Sequence, residues 1–249
     1  MSKNNQQSNP ESRRQQLRAA QEKAAKQERT RKGVIIGVVA LIAVAIVGGV
    51  SWAVVSLNQQ KQVVDTVDAT YTVVVGNADA PVTVDIFQDF ICPYCGEFER
   101  ANGEDVAALA DAGTAQVRIH PMNFLDDASQ GTKYSTRAAN ALITVYKAEP
   151  DKALAFNSAL YANQPAENTT GLSDAEIAKI ATSVGVSSSV IATFTDLSNV
   201  SFADNSTQAA FADGITGTPT ILINGTKFSG NILTAGPFRQ AVEAAAAGN

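Results

Sequence analysis

Cys92 and Cys95 are the only cysteines in a chain of 249 residues, and they stand in the run Phe90-Ile91-Cys92-Pro93-Tyr94-Cys95. A sulfur acts as a nucleophile only as thiolate, and its pKa falls at a helix N-terminus, where free backbone N–H groups and the helix dipole favour negative charge. Pro93 fits the first helical position, since it needs no N–H there and its φ is preset. The helix is therefore expected to start at Pro93, with Cys92 at its mouth and Cys95 one turn on, close enough for a short disulfide. A pair so placed could take up and release two electrons by exchange: an outside thiolate attacks Cys92, forms a mixed disulfide and releases Cys95. Two other readings compete. A structural disulfide across two residues removes little chain entropy, and a zinc site needs about four ligands where the chain offers two cysteines and one histidine, His120.

The surrounding pattern supplies elements to hold the pair. Strand character is expected over Tyr71 to Val75 and Val82 to Phe87, the second running straight into the cysteines, with a turn between them at Gly76 to Pro81. Phe98, Ala101, Val106, Ala107 and Leu109 keep a mainly helical spacing to about Asp111. A strand follows at Gln116 to Ile119, ending at His120-Pro121, where His120 reads as a structural capping residue. Between 126 and 213 the signal is almost wholly helical, with helices expected at Ser129 to Lys147, Pro150 to Ala162 and Ser173 to Val184. Ser173 and Glu176 have the spacing of a capping box. Strands return at Thr218 to Ile223 and Thr226 to Phe228 around the turn Asn224-Gly225, and Ala235 to Ala247 closes the chain as a helix. The order predicts an α/β domain, one mixed sheet flanked by helices with a helical block inserted.

Two stretches carry a family likeness. Ala80 to Cys95 resembles the active-site strand and helix start of the DsbA-like, thioredoxin-fold oxidoreductases, and Gly217-Thr218-Pro219-Thr220-Ile221-Leu222-Ile223-Asn224-Gly225 resembles their second motif. The resemblance covers roughly Tyr71 to Gly248. It implies a thioredoxin-like fold, Cys92 and Cys95 as catalytic pair with Pro93 and Tyr94 as the active-site loop, and Pro219 as a cis-proline beside the sulfurs. Thr218 would then offer its backbone to an extended client peptide. No cofactor and no metal are implied. One position departs: family members often carry an acid six residues before the first cysteine, and Ile86 stands there. Asp85 should face the other way by strand alternation. Asp89 is nearer and could relay a proton for Cys95, although surface charge is the plainer reading of both aspartates. Tyr94, unlike a histidine, adds no positive charge beside the thiolate, so a less oxidising pair is expected.

Outside the likeness lies a stretch without charge from Gly33 to Leu57, long enough to cross a bilayer. The 32 residues before it carry nine Lys and Arg against three Glu, a net of +6, so the chain is expected to keep its N-terminus in the cytoplasm. The whole-chain charge of -5 then leaves -11 beyond the span, which argues against nucleic acid as a partner. The expected organisation is a basic cytoplasmic tail at 1–32, a transmembrane helix at 33–57, a linker at 58–70 and an extracytoplasmic domain at 71–249 with its helical insertion at about 126–213. Partners expected on this reading are reduced secreted or envelope proteins and, by resemblance, a quinone-linked membrane re-oxidase. The competing functions are a disulfide reductase or isomerase, and a non-enzymatic thioredoxin-like module that delivers copper or holds a peptide. Copper would favour more thioether or imidazole ligands than Met1, Met122 and His120 provide.

Overall fold

The computed structural model describes residues 69–248. The expected tail, span and nearly all of the linker lie outside these residues, and among the described residues no helix is long and apolar enough to cross a membrane. After a 3-10 turn at Ala69–Tyr71 come β1 (Val73–Val75), β2 (Val82–Asp89), α1 (Pro93–Asp111) and β3 (Ala115–Met122). A helical block follows: α2 (Tyr134–Ala148), α3 (Ala153–Ala162), α4 (Asp174–Ser183), α5 (Ser188–Ile191) and α6 (Val200–Ala212). The chain then returns to the sheet with β4 (Thr220–Ile223) and β5 (Thr226–Lys227) and ends in α7 (Pro237–Ala247). The five strands lie in the order β1-β3-β2-β4-β5, with β2 parallel to β3 and the other pairs antiparallel. This is the expected thioredoxin-like mixed sheet with an inserted helical subdomain.

Alternation along the central strand divides the core. Val84 and Ile86 of β2 join Phe98 of α1 and Phe238 of α7 in the large apolar cluster, where the two rings meet edge to face at 5.6 Å. Phe87 turns to the other face, with Met122, Ala210, Ile215 and Leu222. The hairpin forms as its Asn-Gly pair predicts, with Asn224 and Gly225 both at positive φ, 47° and 69°. Asn224 also reaches back to β2: its Oδ1 accepts from Thr83 N at 2.8 Å and its own N–H donates to Thr83 O at 2.8 Å. Ser173 and Glu176 form the expected capping box at the start of α4.

Three expectations need correction. β3 does not stop at Ile119 but continues through His120 and Pro121 to Met122. Its outer neighbour β1 pairs only with Val117 to Ile119, so beyond that point one side of β3 is open and a residue lacking an N–H costs no ladder bond there. Helix α2 begins at Tyr134 rather than Ser129, because the chain first makes a 3-10 turn at Asp126–Ser129 and passes left-handed residues at Gln130 and Lys133. Asp126 then caps the helix, accepting from Thr136 N at 2.9 Å and Thr136 Oγ1 at 2.6 Å.

The third correction concerns His120 and Asp85. His120 is not a terminal cap, and Asp85 is not surface charge. Both are buried, Asp85 completely, and its carboxylate accepts from Arg118 Nη2 at 2.7 Å and meets His120 Nε2 at 2.8 Å. Burial holds the imidazole below its usual pKa, against the opposing pull of Asp85, and its ring stacks on Phe87 at 4.1 Å. Removing one partner of a buried charged group leaves the other unpaired. Asp85→Ala should therefore cost about 3 kcal/mol of stability, read from the midpoint of a denaturant melt at unchanged slope, and Arg118→Met in the same chain should recover part of the loss.

Candidate active site

The active-site turn forms where β2 ends. Cys92 N–H donates to Asp89 O at 3.1 Å, which closes a tight turn and places Cys92 at the N-cap of α1 with extended φ and ψ of -68° and 118°. Pro93 takes the first helical position, as its missing N–H allows. Cys92 C=O becomes the first helical acceptor, taking Cys95 N–H at 3.1 Å and Gly96 N–H at 3.3 Å. Both cysteines are thiols in this structure; Cys92 keeps 5% of its surface and Cys95 2%, while Tyr94 between them is 59% exposed.

The second motif arrives from β4. The Thr218–Pro219 peptide is cis, and Thr218 O accepts from the Cys92 thiol at 3.3 Å across 126 residues of sequence. The Thr218 hydroxyl is buried against the sulfurs without a hydrogen-bond partner of good geometry. The structure thus gathers Cys92, Pro93, Tyr94, Cys95, Thr218 and Pro219 at one end of the sheet, with Asp89 beneath them.

The electrostatics of the two sulfurs diverge. The Cys92 thiol is lowered to about 6, first by a hydrogen bond from the Cys95 thiol, against the cost of burial, with further help from the Thr218 hydroxyl and from the Cys95 and Tyr94 backbone. The uncharged thiol makes no cap bond of its own to those N–H groups, so this stabilisation belongs to the thiolate. Cys95 moves the other way: burial, then the neighbouring Cys92, holds it well above the ordinary thiol range. One sulfur is poised to attack near neutral pH and the other stays protonated.

Asp89 is completely buried, which overturns the reading of it as surface charge. Its carboxyl accepts from Ser135 Oγ at 2.5 Å, Leu125 N at 3.0 Å and Ile91 N at 3.1 Å. Burial raises it to about 7 even though these three donors pull it down, and a charged Cys92 would raise it further. Ile86, at the position where the family often has an acid, is packed in the main core. Sequence reasoning missed the groups that hold the turn from the helical block. Tyr161 OH donates to Asp89 O at 3.2 Å, and Gln164 Nε2 donates to Phe90 O at 3.2 Å and to Cys92 O at 2.7 Å. The one local hint was a glycine in the first turn of a helix, Gly96, where a Cβ would collide with the Gln164 amide. Among the described residues no group of three or more His, Cys, Asp or Glu side chains could hold a metal ion.

The thioredoxin family model matches residues 68–244. The chain belongs to that family. Among solved structures it is similar to the disulfide bond oxidoreductase DsbG from Mycobacterium tuberculosis, at 25% identity over 76% of this chain and 97% of the other, with a TM-score of 0.60. It is similar as well to DsbA of the same organism, at 25% identity over 71% and 98% of the two chains and a TM-score of 0.58. Among curated proteins it is 44% identical over 124 residues to the serine/threonine-protein kinase PknE of Mycobacterium tuberculosis, a match that takes in 48% of this chain and 22% of the kinase. The matched domain is a DsbA-like thiol-disulfide oxidoreductase domain of the thioredoxin family.

Two pH dependences follow from these groups. Alkylation of Cys92 by iodoacetamide should rise with pH about a midpoint near 6, while Cys95 stays unreactive over the same range. For Asp89 the folded-state pKa lies above the unfolded value of 3.8, so the folded state holds its proton more tightly. That group's contribution therefore favours the fold at low pH and is lost as pH rises from about 4 to about 7. Denaturant melts across that window should show the slope, and Asp89→Asn should flatten it.

Proposed function

We propose that this protein is an extracytoplasmic oxidase that introduces disulfides into reduced secreted or envelope proteins through Cys92 and Cys95. The observation that carries the reading is the Cys92 sulfur at the mouth of α1, lowered to about 6 beside a Cys95 that burial keeps protonated. Whatever stabilises the reduced Cys92 thiolate makes the corresponding disulfide a stronger oxidant, because the product of accepting electrons is the favoured form.

The cycle is electron-balanced without a cofactor. A client thiolate attacks Cys92 Sγ of the disulfide, a client–Cys92 bond forms, the Cys92–Cys95 bond breaks, and Cys95 leaves as thiolate and takes a proton. Asp89, raised to about 7, is the nearby buried acid to supply it and to receive it back on re-oxidation. A second client thiolate then attacks the client sulfur of the mixed disulfide. The client is oxidised by two electrons, Cys92 departs as thiolate, and both enzyme sulfurs are reduced. Thr218, whose carbonyl already faces Cys92, would pair with the client backbone next to the cis Pro219. Pro93 and Tyr94 form the loop between the sulfurs, and Tyr94 is exposed enough to touch the client.

Location and recycling complete the reading. The uncharged stretch 33–57 after a tail of net charge +6 supports a single span with the N-terminus in the cytoplasm and the domain outside. A quinone-linked membrane protein is the proposed re-oxidase. Cys92→Ser should abolish oxidation of a reduced, unfolded client. Cys95→Ser should accumulate client–enzyme mixed disulfides on non-reducing gels, and alkylation in cells should find the wild-type pair mostly oxidised. A pair held mostly reduced in cells would point instead to a reductase or isomerase.

A further inference from the structure

Gln164 lies just beyond α3, 72 positions from Cys92 in sequence, with its backbone N–H anchored on Tyr161 O at 3.2 Å. Its side-chain amide reaches from the helical block to the peptide unit linking Cys92 to Pro93, donating to the Cys92 carbonyl at 2.7 Å. We propose that Gln164 is a positioning residue for the exchange reaction, clamping the Cys92 carbonyl so that the Cys92 sulfur stays aligned with the mouth of α1. The inference rests on the proposed role of Cys92 as attacking sulfur.

The geometry is that of a clamp. The Cys92 carbonyl accepts from Cys95 N–H and Gly96 N–H at 3.1 and 3.3 Å, and from Gln164 Nε2 at a shorter 2.7 Å; the same nitrogen donates to Phe90 O at 3.2 Å. Pro93 cannot help hold this unit, because it has no N–H, and its ring fixes only its own φ. The free torsion is therefore ψ of Cys92. Rotation there would move the carbonyl off the helix axis and swing the sulfur relative to the Tyr94 and Cys95 N–H groups. Two carbonyls pinned by one amide, on both sides of Ile91, remove that freedom.

A second, independent observation marks the same spot. Gly96 is helical and buried, and a Cβ there would land on the Gln164 side-chain amide, nearest its Oε1. A glycine inside a helix costs roughly 1 kcal/mol against alanine, so its presence in the first turn needs a reason, and the room required by Gln164 supplies one. Two residues far apart in the chain are thus fitted to one another beside the Cys92 carbonyl.

The test uses the full chain and the pH profile of Cys92 alkylation, which a merely structural residue would not move. Gln164→Met keeps the length and removes the donors; Gly96→Ala leaves Gln164 intact and displaces it. Each should raise the midpoint by about half to one pH unit, so that the alkylation rate at pH 6 falls roughly two- to fivefold. The double variant should shift no further than the larger single shift, since both act through one contact. Gln164→Glu, which fills the same space with acceptors only, should shift it at least as far and guards against a packing effect of methionine. A low wild-type midpoint with no shift in any variant would overturn the clamp and leave the proposed oxidase intact. An ordinary wild-type midpoint above 8 would sink both.

Discussion

A buried sulfur can react near neutral pH only if its charged form is solvated by something other than water, and most of this fold is arranged around that requirement. The start of α1 provides the field, since the first N–H groups of a helix have no intrahelical partners. Placing Cys92 there demands that β2 stop abruptly, turn and become a helix within three residues. The Asp89–Cys92 turn bond and Pro93 accomplish this. The same burial that threatens the Cys92 thiolate keeps Cys95 neutral, so one desolvated environment produces two opposite thiols: Cys95 donates its S–H to Cys92, and the Thr218 hydroxyl and the N–H groups of Tyr94 and Cys95 at the helix mouth add to that bond.

The helical block between β3 and β4 has a role in that environment beyond covering the sheet. Leu125, Ser135, Tyr161 and Gln164 all belong to it, and all bond to the short stretch from Asp89 to Cys92. Turn backbone at the end of a buried strand has carbonyls and N–H groups that the sheet ladder no longer satisfies. Without these donors the turn could be buried only at the cost of orphaned polar groups, and exposed to water it would lose the low dielectric that separates the two thiols. The insertion and the reactive pair are therefore structurally interdependent, although the cysteines themselves lie outside it.

That dependence also explains how far the sequence could be read. The cysteine spacing and Pro93 are local signals with a local physical meaning, and α1 starts where they put it; the cis Thr218-Pro219 peptide has no such signal and is implied by the family resemblance alone. The capping box at Ser173 and the hairpin at Asn224-Gly225 also stand where local signals put them, since there a side chain or a positive φ acts on its near neighbours. Ser135, Tyr161 and Gln164 carry no such signal. They act across 46 to 74 positions, and a serine, a tyrosine or a glutamine in a helical block has no periodicity that reveals its partner. The end of β3 was misread for a related reason. Pro121 argues against an interior strand, and only the shortness of β1 makes it acceptable there.

The aspartates show the same limit from the side of charge. A single carboxylate in sequence looks like surface, because burying one is costly unless it is paired or hydrogen-bonded. Here both are buried, and by different means. Asp85 is held by the Arg118 guanidinium, charge against charge, and by a hydrogen bond to the His120 ring, on the face of the sheet that packs Phe87 and Met122. Asp89 meets only neutral donors, one hydroxyl and two backbone N–H groups. A guanidinium nearby would have kept Asp89 ionised at every working pH. Neutral donors offset burial only in part, and burial holds it near 7 beneath the two sulfurs. The absence of a cation among those donors, rather than the presence of the carboxylate, is what sets Asp89 apart from Asp85.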